Sequence, residues 1–425
     1  MAAEERLTAD DARILGVESA AITGHTLKLL ILEPGAGPLD LDALRSSVNA
    51  RLSRQPRATE RVDTTEADPR WVLATDFDIT DHVRRVDGGC ASQPDLWRIV
   101  SGLMSEHLDR RHPLWTFDVI GPMADGREAI AARIHHAMCD GIAAVRFLDA
   151  VLFDAHEVAP AAGPGVHPTS APLTLRDELR RMPAAAFREL GRPGSHSPFD
   201  RPITVARELA FTMAPLDDLK AIGASRPTRA TVNDVLLTIV ACGLRTWLER
   251  HDTARRHLRA QVPVSLHHRD EDASALGNRD SFMNVDLPLS ERDPLAMLDA
   301  ISAQTRERKR LDDAQEMYEL LHALGAVRYV GTAAKRLAGS AREFSLSISN
   351  VPGPRTAVAV AGRRVHNLFS SSESAAHHAL RVSAISCAGE IGIGLCTDPE
   401  ALTHISNMAD AVHDAFAQMR AVAST

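Results

Sequence analysis

Residues 135–141 read His-His-Ala-Met-Cys-Asp-Gly, two adjacent histidines followed closely by an aspartate–glycine pair. Ile130, Ala132, Ile134 and His136 share one parity, so on an extended strand they face one side while Arg133 and His135 face the other. A histidine on an apolar strand face is ordinarily a packed core residue. The full arrangement His-His-x-x-x-Asp-Gly instead carries an imidazole to the end of a strand, at a strand-to-helix turn. Neutral imidazole titrates near working pH, so a histidine placed there suits proton abstraction from a hydroxyl. The following helix starts at Gly141, with Ile142, Val145, Leu148 and Leu152 at helical spacing. Asp140 stands where a helix cap would stand. Cys139 is a conceivable nucleophile, and no Gly-x-Ser-x-Gly elbow offers a serine alternative.

The elements that must hold this turn alternate along the chain. Thr8 to Glu18 reads as a capped helix, Leu27 to Leu32 as a strand, and Leu41, Leu44, Val48 and Leu52 as the apolar stripe of a helix. Trp71 to Thr75 reads as a strand, and Leu96, Ile99 and Leu103 mark another helix. Trp115 to Ile120 and Ala129 to His136 form an antiparallel pair turning through Ala124-Asp125-Gly126. Proline and glycine recur between 158 and 202 around one basic helical piece, which reads as a crossover linker. The second half repeats the alternation. A helix spans Val232 to Leu248, strands are expected at Ala260–Leu266, Met283–Leu289 and Phe344–Val351, a hairpin turns at Ala388-Gly389-Glu390, and a last helix carries Leu402 to Phe416. The expected division is residues 1–157, the linker 158–202, and residues 203–425. The fold class is α/β, with mixed sheets flanked by helices.

Composition narrows the class. At 425 residues, 44% apolar and 24% charged, the chain suits two globular units with sizeable cores. A net charge of -8 argues against a general nucleic-acid binder. The basic cluster Arg306, Arg308, Lys309 and Arg310 reads as a solvated helix end, with contact to a ligand's phosphates or to anionic lipid as the sharper alternative. Five scattered cysteines without a Cys-x-x-Cys pair read as reduced thiols in the cytoplasm. No metal site is expected, because the paired histidines 135–136, 267–268 and 377–378 would point to opposite faces of a strand. The longest apolar stretch, Val235 to Leu244, is too short to span a bilayer. The acidic N-terminus lacks an apolar signal region.

Further motifs accompany His-His-x-x-x-Asp-Gly: Pro113-Leu114-Trp115, Thr231-Val232-Asn233-Asp234-Val235, Leu276-Gly277-Asn278-Arg279 running towards Val285-Asp286-Leu287-Pro288, and Ser349-Asn350-Val351-Pro352-Gly353-Pro354. His-His-x-x-x-Asp-Gly resembles the active-site motif of the CoA-dependent acyltransferase superfamily. All five in this order resemble the bacterial wax ester synthase/diacylglycerol acyltransferase family, over nearly the whole chain from Leu7 to about Met419.

That resemblance implies two chloramphenicol-acetyltransferase-like domains. It makes His136 the base that takes the alcohol proton and then protonates the departing CoA thiolate, without a covalent acyl-enzyme. His135 would orient, and Asp140 would anchor the loop by pairing with an arginine. Gly141 would serve a backbone angle or a close approach. Pro113, Leu114 and Trp115 would shape an acyl or alcohol pocket, unless they are a turn proline and two core residues. Asn233 would donate a hydrogen bond to substrate or oxyanion, Asp234 beside it caps a helix or joins it, and Asn278 counts among the substrate contacts. Asn350 and Gly353 would fix the domain interface and line the CoA channel. The sequence departs from the family after Val262-Pro263-Val264-Ser265-Leu266, where His267, His268 and Arg269 replace the expected arginine. Asp140 would then pair with His267 or with Arg269.

The implied activity is transfer of a long acyl chain from acyl-CoA, as co-substrate without further cofactor, to diacylglycerol or a fatty alcohol. The acceptors are membrane lipids, so peripheral contact with the inner membrane or a lipid droplet is expected. A condensation-like or polyketide-ester acyltransferase shares the motif and is the rival enzyme reading. A non-catalytic lipid-binding relative is the rival of another class.

Overall fold

The structure is a computed structural model that describes residues 5–65, 68–154, 197–265, 280–311 and 344–424. In chain order the first half runs β1 (Glu5–Arg6), α1 (Ala9–Val17), β2 (His25–Leu32), α2 (Leu41–Asn49), β3 (Glu60–Asp63) and β4 (Arg70–Leu73). It continues through α3 (Ile79–His82), β5 (Val83–Arg85), α4 (Gln93–Met104), β6 (Trp115–Ile120), β7 (Glu128–His135) and α5 (Gly141–Val151). The second half opens with β8 (Glu208–Pro215), α6 (Leu216–Ala224), α7 (Val232–Arg250), β9 (Leu258–Ser265), β10 (Asp280–Leu287) and α8 (Pro294–Leu311). It ends with β11 (Leu346–Val351), β12 (Ala359–Val360), β13 (Arg363–Ser372), β14 (Leu380–Cys387), β15 (Glu390–Thr397) and α9 (Ile405–Ala423).

Local chemistry sets several helix starts. Thr8 accepts from the Asp11 N–H ahead of α1, Ser92 and Asp95 form a reciprocal capping box on α4, and Thr231 and Asp234 form another on α7. β2 and β7 are buried along their whole length, because helices and the second half cover both faces of their sheet. On β7 the parity read from sequence holds: Ile130, Ala132 and Ile134 enter one core, Ala129 and Ala131 the other.

Two six-stranded mixed sheets result, in the orders β12-β13-β2-β7-β6-β5 and β10-β9-β11-β14-β15-β8, beside a small sheet β1-β4-β3. β6 and β7 pair antiparallel as expected. The division at 203 needs a correction in one respect: β12 and β13, from the second half, belong to the first sheet. β13 pairs with β2 from Val365↔Leu32 to Ser372↔Thr26. Periodicity alone cannot reveal this, since a strand's pattern says which face is buried and not which sheet it joins. Backbone crowding marks where the two sheets meet. A Cβ on Gly392 or Gly394 of β15 would strike the carbonyl oxygens of Leu368 and Ser370 on β13. A third core of Leu27, Leu29, Val100 and Leu103 with Leu209, Phe211 and Phe369 also spans both halves.

Linker residues 158–196, the Leu276–Arg279 motif with Asn278, and the triplet His267, His268, Arg269 lie outside the described residues.

Candidate active site

β7 ends at His135, and the chain then turns into α5 through a tight loop in which the Met138 and Cys139 amides both donate to the His135 carbonyl. His135 is 1% exposed, whereas His136 is half-buried. His135 is the last residue of β7 and is buried, and His136 stands one residue past the strand, more exposed. The His135 amide donates to the Leu114 carbonyl at 2.9 Å, and the His136 amide to the Gly24 carbonyl at 2.8 Å. The motif backbone is thus tied on one side to the strand before it and on the other to the start of β2.

The His135 ring is fixed at both nitrogens. Nδ1 accepts from the Ala137 N–H at 3.1 Å, which puts the ring proton on Nε2, 3.3 Å from a Glu18 carboxylate oxygen. Burial pushes the Glu18 carboxyl up, but hydrogen bonds and charge from His135 and Arg110 outweigh it and hold it below the usual carboxylate range. Gly24, at φ +74°, lies directly under that ring, and a Cβ there would collide with His135 Nε2. Glu18 and Gly24 were not singled out from the sequence. Glu18 stands 117 positions before His135, and no spacing rule links a helix end to a strand so far away.

Asp140 is buried, caps α5, and accepts from the Ala143 N–H at 2.8 Å. Its charge also acts on Lys28, the fully buried lysine of β2, which donates to Ser370 Oγ at 2.8 Å. Burial lowers the Lys28 pKa to about 8, Arg381 pushes the same way, and Asp140 opposes both. A cation from β2 therefore stands in the field of the motif aspartate. Burial, reinforced by Asp140, raises the Cys139 thiol well above its ordinary value, which disfavours the thiolate a nucleophile needs.

Gly141 meets the Ser-Asn-Val-Pro-Gly-Pro motif. A Cβ there would sit 2.7 Å from Val351 Cγ2, so this glycine serves close approach between the halves. Gly353 likewise lies against the backbone of β14, its amide donating to Ser386 Oγ at 3.2 Å, and Asn350 is half-buried on β11. Asn233 is half-buried in the first turn of α7. Asp234 has both oxygens engaged, one by the Thr231 amide at 2.8 Å and the other by the Thr305 hydroxyl at 2.6 Å. That occupies it as a cap of α7.

Leu114 and Trp115, expected to shape a substrate pocket, are buried in the first core, and Trp115 also backs the cleft that Pro113 borders. Their part is to hold the end of β7. Leu114 supplies the carbonyl that fixes His135, and the Trp115 indole donates to Ala58 O at 2.9 Å. Pro113 does border a cleft of about 390 Å³, with His82, His107 and His112 among its walls.

His82 stacks on Trp115 at 4.5 Å and bonds the Trp115 carbonyl at 2.8 Å. Burial lowers its pKa to about 4, against the opposing pull of that carbonyl. Since the unfolded chain takes up this proton first, the stability tied to the neutral ring is complete above about pH 6.5 and is lost as pH falls towards 4. The full loss is about 3 kcal/mol at roughly 1.4 kcal/mol per pH unit. His82→Phe keeps the stack and should flatten that part of the acid slope. Urea midpoints of both proteins at pH 6.5 and 4.5 test this, and an equal acid loss in the two would remove His82 from the account.

Comparison with known proteins places these features in a family. The model of the wax ester synthase/diacylglycerol acyltransferase catalytic domain matches residues 7–193, and that of the WS/DGAT C-terminal domain matches residues 276–420. The chain is 28% identical over 428 residues to a Mycobacterium tuberculosis protein named as a probable diacylglycerol O-acyltransferase, covering 93% of this chain and 90% of that one. Its fold is similar to the wax ester synthase/diacylglycerol acyltransferase from Marinobacter aquaeolei VT8, with a TM-score of 0.72, 20% identity, and coverage of 99% and 100% of the two chains. The first condensation domain of the calcium-dependent antibiotic synthetase also shares the fold, at a TM-score of 0.67, 15% identity, and coverage of 99% and 96%.

Proposed function

Because the chain belongs to the wax ester synthase/diacylglycerol acyltransferase family, we propose that it moves a long acyl chain from acyl-CoA to the hydroxyl of diacylglycerol or a fatty alcohol, with His136 as the general base. One observation carries the reading. His136 is half-buried at the loop into α5 whose Gly141 meets Val351 of the other half, its backbone amide held by Gly24 and its neighbour His135 locked beside it.

In the proposed reaction the acceptor hydroxyl lies against the His136 ring. The ring takes the hydroxyl proton as the oxygen bonds to the thioester carbonyl, and the proton then passes to the CoA sulfur as the carbon–sulfur bond breaks. The ring returns to its neutral state. Asn233, in the first turn of α7, is the candidate donor to the developing oxyanion, while Asn278 and Asn350 are candidate substrate contacts. Among the described residues no helix is long and apolar enough to cross a membrane. Because the proposed acceptors are membrane lipids, the acceptor would be met at a lipid surface, by peripheral contact.

The purified full chain, given palmitoyl-CoA with hexadecanol or vesicle-borne dioleoylglycerol, should release CoA thiol and form wax ester or triacylglycerol. Absence of both products would leave the lipid-binding alternative. Direct transfer also predicts that no acyl group stays on the protein: labelled palmitoyl-CoA without acceptor, followed by denaturation, should leave Cys139 unlabelled. A thioester recovered at Cys139 would replace the single-step scheme with ping-pong chemistry.

A further inference from the structure

Glu373 follows the end of β13, and its side chain is 8% exposed. It grips the start of β2 with both oxygens. Oε1 accepts from the Thr23 N–H and Oε2 from the Gly24 N–H, each at 2.7 Å. The guanidinium of Arg207, with no exposed side-chain surface, also donates to Oε1 at 2.9 Å. Arg207 further donates to the carbonyl oxygens of Ala21, Thr204 and Ala206, and its own amide donates to Ser105 Oγ at 2.9 Å. Two charges have thus been taken out of water at one turn of backbone, with both carboxylate oxygens and both terminal guanidinium nitrogens hydrogen-bonded and the Arg207 Nε buried without a partner. Desolvating such a pair costs as much as it returns in stability, which makes a specifying role a natural question.

What the pair specifies is the position of Gly24. The amide of Gly24 is held by Glu373, while its carbonyl accepts the His136 N–H at 2.8 Å. Its Cα lies under the His135 ring so closely that no side chain fits. A shift of Gly24 therefore moves the backbone of His136 and releases the packing of His135 together. Charge-assisted bonds of this kind are shorter and stiffer than neutral ones, as the two 2.7 Å contacts are.

We propose that Glu373 is a positioning residue for the transfer reaction, setting the placement of His136 from the second half of the chain through Gly24. This rests on the reading of His136 as the base. The structural alternative is a plain interdomain lock, in which Glu373 matters for folding alone.

A double-mutant cycle separates the two. In Glu373→Gln one carboxylate oxygen becomes an amide NH2, so a donor would face a backbone donor at Thr23 or Gly24. In Glu373→Asp the charge opposite Arg207 stays, but the carboxylate is withdrawn by one methylene. Turnover with palmitoyl-CoA and dioleoylglycerol should fall about tenfold or more in both, since a 1 Å misplacement can cost roughly 10²-fold. KM for palmitoyl-CoA should stay within about twofold, because uniform binding is untouched. In the His136→Ala background, either Glu373 change should leave the residual turnover unaltered, there being no base left to misplace.

Wild-type turnover in a folded Glu373→Asp variant overturns the proposal, as does the same fold loss with and without His136. A rise in KM at constant turnover overturns it as well. Should Glu373→Gln fail to fold, the aspartate variant and its cycle decide alone. Wild-type turnover in His136→Ala removes the base reading and this proposal with it, whereas a loss there beside intact Glu373 variants removes only the proposal.

Discussion

His136→Ala should lose about 10²-fold or more in turnover while melting close to wild type, because general-base assistance contributes roughly 10²–10⁴-fold. The expectation of a preserved fold comes from burial. His136 is half-buried and joins the framework through its backbone amide, which alanine retains. His135→Ala should behave differently. That ring is 1% exposed and bonded to Ala137 and Glu18, so its removal opens a cavity and leaves Glu18 with Arg110, lowering stability as well as rate. Turnover and melting temperature measured together separate a ring that reacts from one that orients. Equal turnover in wild type and His136→Ala would end the assignment.

Gly141→Ala should cost about 1–3 kcal/mol as overpacking, together with a fall in turnover. The added methyl would lie 2.7 Å from Val351 Cγ2, closer than carbon atoms approach one another. One of the two contacting halves must then shift. The motif loop preceding α5 is the element adjoining the base, so the strain should appear in rate as well as in melting. Val351→Ala removes the offending methyl, and the other Val351 atoms stand at 3.7 Å or beyond, in ordinary contact. The double variant Gly141→Ala/Val351→Ala should therefore melt above Gly141→Ala alone. If the second change adds its own loss instead, the glycine serves some purpose other than this contact.

Much of this arrangement was legible in the residues. Alternation along β7 put Ile130, Ala132 and Ile134 on one face, the cap positions of Asp140 and Asp234 held, and β6 appeared between the residues expected for it. These are local properties, set by period and by neighbours within four positions. Illegible were the partners that arrive from far away. Glu18 on His135, Lys28 near Asp140, and Val351 against Gly141 are contacts between residues more than a hundred positions apart, and nothing in one sequence encodes such a distance. The Pro113-Leu114-Trp115 motif shows the same limit from another side. Its residue types fit a pocket wall and a core equally well, and the structure divides them: Leu114 packs in the core, while Pro113 and the buried Trp115 border a cleft.

β13 carries a consequence for how the molecule is made. Residues 365–372 complete the edge of β2, a strand more than 330 positions earlier. Until the last quarter of the chain has left the ribosome, β2 can pair with β7 on one side, while its other edge presents open backbone groups. The entropy of closing so long a loop is modest, because it grows only with the logarithm of length. The cost is one of waiting: an exposed, apolar strand edge during synthesis is a surface on which chains of this kind associate with each other. A fragment ending near residue 157 would hold the whole His-His-x-x-x-Asp-Gly motif and still keep that edge permanently open. Separately expressed halves should accordingly be poorly soluble alone and recover when made together.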